Sequence, residues 1–123
     1  MKVNKLSDFG YSFQIKLIAL LFKDKLFLQQ ILDILDSSYF ESEANIVILD
    51  IIKEYFKEYN TLPTVEAMKI KIIEMDNELL KKTVADNIKE AFKQMEADDL
   101  EFVKEKALEF CKNQEIKKAK SLS

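Results

Sequence analysis

Glycine and proline each occur once in 123 residues, as Gly10 and Pro63, and this scarcity constrains the fold more than any other feature. A chain almost without these two residues reads as helices joined by short turns. Apolar residues make up 48% and charged residues 33%, enough hydrophobe for a core and too much for a disordered tail. A globule of 14.4 kDa buries about two-thirds of the surface of its unfolded chain, so it needs neither disulfide nor metal to fold.

The same inventory removes several function classes. One glycine excludes a GxxxxGK[ST] phosphate loop and a GxGxxG dinucleotide turn, which need several glycines to bring backbone close to phosphate. With no histidine and one cysteine, Cys111, zinc sites, Ser-His and Cys-His nucleophile pairs and thiol redox motifs are excluded too. No cofactor or metal is expected, and the chain reads as non-catalytic. Nineteen lysines against 22 acids give a net charge of −3, which argues against a direct grip on nucleic acid. The single cysteine fits a reducing cytoplasm. Near the N-terminus the longest apolar run, Leu17 to Phe22, is six residues between Lys16 and Lys23. That is too short for a signal peptide or a membrane span, so it reads as a core helix.

Apolar spacing divides the chain. Phe13, Leu17, Leu20 and Leu21 form one helix face. Asp24 is placed to N-cap a second helix carrying Phe27, Leu28, Ile31, Leu32 and Leu35. After a loop over 36–42, a third helix runs from about Ser42 to Tyr59, with Ile48, Ile51, Ile52, Tyr55, Phe56 and Tyr59 facing inward. Pro63 ends that region, and Thr64 caps a fourth helix with Val65, Met68, Ile72 and Ile73. Beyond Asp76-Asn77 come two leaner stripes, Leu80-Val84-Ile88-Ala91-Met95 and Leu100-Val103-Ala107-Phe110. Their 3-4 spacings suit the seam of an antiparallel pair. The expected architecture is all-α: a globular four-helix head over 1–76, then a long antiparallel helical hairpin over 77–123 that runs into the start of a linker.

Phe92, Phe102 and Leu108 project outside the hairpin's seam. Two helices alone cannot cover them, so either the head folds back or a second copy does. The expected self-association set is Ile88, Phe92, Met95, Phe102, Val103 and Phe110. Other constellations have simpler readings. Asp33 with Asp36, and Asp98 with Asp99, sit at helix ends, where capping or solvation explains them better than acid-base catalysis. Glu96, Asp98, Asp99 and Glu101 lack the glycine-bearing loop that shapes a calcium cage. Cys111 reads as a small buried hydrophobe.

Three stretches carry a family resemblance. They are Leu6-Ser7-Asp8-Phe9-Gly10-Tyr11-Ser12-Phe13-Gln14-Ile15-Lys16 with Leu20-Leu21-Phe22-Lys23-Asp24; Leu35-Asp36-Ser37-Ser38-Tyr39-Phe40 with Tyr55-Phe56-Lys57-Glu58-Tyr59-Asn60-Thr61-Leu62-Pro63-Thr64; and Phe110-Cys111-Lys112-Asn113-Gln114-Glu115-Ile116-Lys117-Lys118-Ala119. Together they resemble the N-terminal domain of phage-like replicative DNA helicases of the DnaB type. The resemblance spans most of the chain and rests on structural punctuation, without catalytic residues. It implies an all-helical domain whose hairpins pair into a homodimer or a trimer of dimers, a hexameric collar that recruits primase or a helicase loader, and a motor located elsewhere. It further implies a bacterial cell or phage-infected host as the setting. A stand-alone helical adaptor, such as a helicase loader or the helicase-binding domain of a primase, is the alternative.

Overall fold

The computed structural model describes residues 4–122 and is all-helical, with no strand among those residues. Six α-helices follow in order: α1 (Tyr11–Lys23), α2 (Lys25–Ile31), α3 (Glu43–Tyr59), α4 (Val65–Ile73), α5 (Glu78–Lys93) and α6 (Leu100–Leu122). Short 3-10 turns lie at Leu6–Phe9 and Ser37–Tyr39.

Local chemistry sets the boundaries. The one glycine stands where it is needed: Gly10 opens α1 with φ of +101°, a conformation costly for any side chain-bearing residue. Asp24, Ser42, Thr64 and Asn77 N-cap α2, α3, α4 and α5, each side-chain oxygen accepting from the backbone N–H three residues on at 3.0–3.3 Å. Asn60 closes α3 in the left-handed conformation, φ +54°, where asparagine substitutes for glycine. The second helix is shorter than its apolar stripe suggests. It ends at Ile31, and Leu35 reaches the core from the turn that follows.

Helix α1 is the centre of the molecule. Nine of its thirteen residues are buried, from Phe13 to Phe22 apart from Lys16. A helix buried over so much of its surface must be covered on most sides, and the packing shows how: α5 and α6 both lie against α1, while α3 packs on α5. This differs from the expected seam. Val84, Ile88 and Ala91 of α5, and Val103, Ala107 and Phe110 of α6, join the same core cluster as α1, α2 and α3. The two stripes therefore cover the first half of the chain instead of closing chiefly on each other. Phe92 stacks on Phe22 of α1 at 5.3 Å between ring centroids, so the body itself covers it.

The buried amide side chains among the described residues are Gln14, Asn45 and Asn87, and they are bonded to one another. Asn45 Nδ2 donates to Gln14 Oε1 at 3.2 Å, and Asn87 Nδ2 donates to Asn45 Oδ1 at 3.0 Å. Tyr11 adds its hydroxyl, donating to Asn87 Oδ1 at 3.2 Å at the exposed end of the chain of bonds. These four residues come from α1, α3 and α5, so the network fixes the register of three helices at once.

Removing its middle member tests that role. Asn45→Ala strips partners from both Gln14 and Asn87 and should cost on the order of 2–4 kcal/mol in urea unfolding. Replacing Gln14, Asn45 and Asn87 together by leucine leaves no orphaned amide and should cost less than the single alanine. A loss below about 0.5 kcal/mol for Asn45→Ala would show that the network carries no weight.

Candidate docking surfaces

Most of the carboxylates that might have formed a reactive or metal-binding cluster pair with lysines. Asp99 pairs with Lys16 at 2.9 Å, Glu96 with Lys23 at 3.7 Å, and Glu101 with Lys104 at 3.1 Å. Lys16 and Lys23 thus clamp the turn between α5 and α6 onto α1. Asp36 caps the 3-10 turn by accepting from the Ser38 N–H at 2.9 Å, and it meets Lys118 at 3.5 Å. Among the described residues no group of three His, Cys, Asp or Glu is arranged to hold a metal, and no helix is long and apolar enough to cross a membrane.

Asp24 joins two elements. Its side chain caps α2 through the Phe27 N–H and accepts from Lys104 of α6 at 2.8 Å. The Lys104 ammonium, followed by the Phe27 amide, holds the Asp24 carboxyl below the usual carboxylate range, and Asp24, then Glu101, raises Lys104 in turn. Lys104 also stands 5.9 Å over the Phe27 ring. Cys111 is buried, and burial, with Glu115 adding to it, pushes its thiol up to about 12. At neutral pH that sulfur is a protonated hydrophobe and a poor nucleophile.

The expected self-association residues do not form one surface. Ile88, Val103 and Phe110 are buried in the chain's own core. Phe92 and Met95 are half-buried against it. Phe102 alone is open, 55% exposed on the outer face of α6 with Lys106 5.8 Å over its ring. Leu108, the third residue outside the stripe, packs partly against the core. The burial follows from α1, which draws in the faces of α5 and α6 that the sequence would assign to a partner.

A second apolar surface, missed in the sequence, lies on α4. This nine-residue helix carries Val65, Ala67, Met68, Ile70, Ile72 and Ile73, yet only Met68 is buried. Ile70 is 59% and Ile73 69% exposed. Tyr59, expected inside, is 58% exposed on the last turn of α3, where its ring meets that of Tyr55 at 4.7 Å. Between α3 and α4 runs an open groove of about 250 Å³ lined by Tyr55, Tyr59, Ala67 and Ile70, with Glu54, Glu58, Glu74 and Lys71 around them. Contiguous exposed apolar side chains with a charged rim are the physical signature of a docking surface.

No protein-family model, curated protein or solved structure matches this chain.

The Asp24–Lys104 bond carries a pH signature. Because the folded pKa of Asp24 is depressed, its contribution is complete above the unfolded value and is lost as pH falls through the folded one. At pH 7, Asp24→Ala should cost about 1 kcal/mol for the lost cap, with a few tenths more for the screened ion pair. In urea unfolding the gap between variant and wild type should narrow steadily below about pH 4. A gap independent of pH would mean that the carboxylate's charge is irrelevant.

Proposed function

We propose that this chain is the non-catalytic assembly and partner-docking domain of a ring-forming replicative DNA helicase of the DnaB type. The observation that carries the reading is the exposure of Phe102, an aromatic side chain on the outer face of the longest helix. In this reading a second copy covers that ring on association, as a buried aromatic anchor. The all-helical architecture and the motif resemblance in residues 6–16, 20–24, 35–40, 55–64 and 110–119 point the same way.

In this reading α5 and α6 keep the connectivity of the helicase hairpin. The contact between copies forms on the outer face of α6, centred on Phe102. Pairing yields a homodimer, and repetition yields a trimer of dimers around a ring axis. Primase or a loader docks on the assembled collar. The domain itself neither hydrolyses ATP nor grips DNA, and its partners read it through helix-on-helix contacts.

Light scattering at tens of micromolar tests this. The wild-type chain should have a mass above that of one copy, and Phe102→Asp should reduce the mass by about half while leaving the circular dichroism unchanged. An unaltered mass for Phe102→Asp removes that residue from the interface. A wild-type chain that stays monomeric contradicts self-assembly and moves the reading to the single-copy adaptor, a loader or a primase's helicase-binding domain.

A further inference from the structure

We propose that the groove between α3 and α4 receives the C-terminal stretch of α6 from a second copy of this chain. This contact is separate from the one at Phe102 and does not rest on it. The groove has an apolar floor and an acidic edge. Tyr55 and Tyr59 form one wall and Ile70 the other, and the carboxylates of Glu54, Glu58 and Glu74 face a single lysine, Lys71. Among the described residues' ion pairs, none involves those three glutamates. The site is therefore a net negative patch, three carboxylates against one lysine, around exposed aromatic and aliphatic carbon.

The chain carries the complement of that pattern. From Lys112 to Ser121, α6 has four lysines against one glutamate, Glu115, and apart from half-covered Gln114 every residue is exposed. Ile116 stands 53% exposed. Lys112 lies one helical turn before Ile116 on the same face, and Lys117 lines the same surface groove as Ile116. Neither lysine belongs to any of the ion pairs among the described residues. A helix of this kind places its isoleucine between the tyrosine rings and Ile70, and its ammonium groups reach Glu54, Glu58 and Glu74. Lysines beside tyrosine faces gain a cation–π contribution as well.

The donor helix comes from another copy. Within one chain, Lys118 pairs with Asp36 at 3.5 Å and stands 5.3 Å over the Tyr39 ring, which holds this end of α6 beside the Ser37–Tyr39 turn. Each copy thus offers one groove and one basic helix end. A reciprocal exchange closes a two-fold dimer, and a one-way exchange extends into a ring. Both chains carry a net charge of −3, so local charge complementarity sets the orientation against a weak overall repulsion.

Charge exchange tests the contact in the full chain. Glu54→Lys with Glu58→Lys reverses the groove, and Lys112→Glu with Lys117→Glu reverses the helix end. Each double variant should lower the mass measured by light scattering in about 50 mM salt by at least half relative to wild type. Mixing the two variants in equal amounts should restore the lost mass, because the reversed charges then face one another. A third variant, Tyr59→Ala with Ile70→Ser, keeps every charge and should also lower the mass; circular dichroism checks that each variant remains helical. Unchanged mass in either charge variant, or no recovery on mixing, overturns the contact. If Phe102→Asp alone lowers the mass, the Phe102 interface stands and this one falls; the reverse pattern retains this one and removes Phe102.

Discussion

A helix with nine of its thirteen residues buried can exist in water only inside other structure, and α1 imposes that condition on everything else. Its polar Ser12, Lys16 and Lys23 fall along one stripe, and α2, α5 and α6 pack against the rest, with α3 joined to it through the Asn45–Gln14 bond. Burial of this kind contributes about 1.5–3 kcal/mol for each large side chain, but it is non-directional and sets no register. Direction comes from the bonded amides of Gln14, Asn45 and Asn87 and from the lysines of α1 that hold the α5–α6 turn. A slip of one helix relative to the others would leave an amide buried without a partner, so the network selects one packing among several of similar hydrophobic content.

The same economy decides which surfaces remain for partners. Because α5 and α6 turn their stripes toward α1, most of the residues that could have joined two copies are already occupied, and of the expected set only Phe102 is left exposed. At the far side, α4 is too short to bury six apolar residues against one neighbour and meets the body through Met68. Ile70 lines a groove with two tyrosines and an acidic edge. The two surfaces differ in chemistry, one built around a single aromatic ring and the other around apolar side chains within a negative rim. That difference gives the domain separate means of contact.

Much of the fold was legible in the sequence because helices announce themselves through spacing and caps. Asp24 and Thr64 appear as N-caps where the periodicity places them, and the break at Asp76-Asn77 coincides with the cap of α5 at Asn77. The partner of each stripe was not legible. Spacings of three and four identify a buried face but not the helix that buries it, and so the stripes of α5 and α6 suggested a mutual seam. The apolar density of Leu17 to Phe22 held the missing signal, since a run with no polar side calls for cover from beyond the neighbouring helices. On α4, six apolar residues among nine exceed what one helix face can hide, and that excess marked the groove. The amide network left no such trace: Gln14, Asn45 and Asn87 lie far apart in sequence and each resembles an ordinary surface residue until the fold brings them together.

The central claim is that α1 binds both halves of the chain into one cooperative unit. Native-state hydrogen exchange followed residue by residue at increasing low urea concentrations tests it most directly. The slowest amides of α1, α3, α5 and α6 should converge on one opening free energy and one urea dependence, as expected when helices unfold together. Exchange through an opening of α5 and α6 at lower free energy, with α1 to α3 still protected, would contradict it and restore an independent head and hairpin.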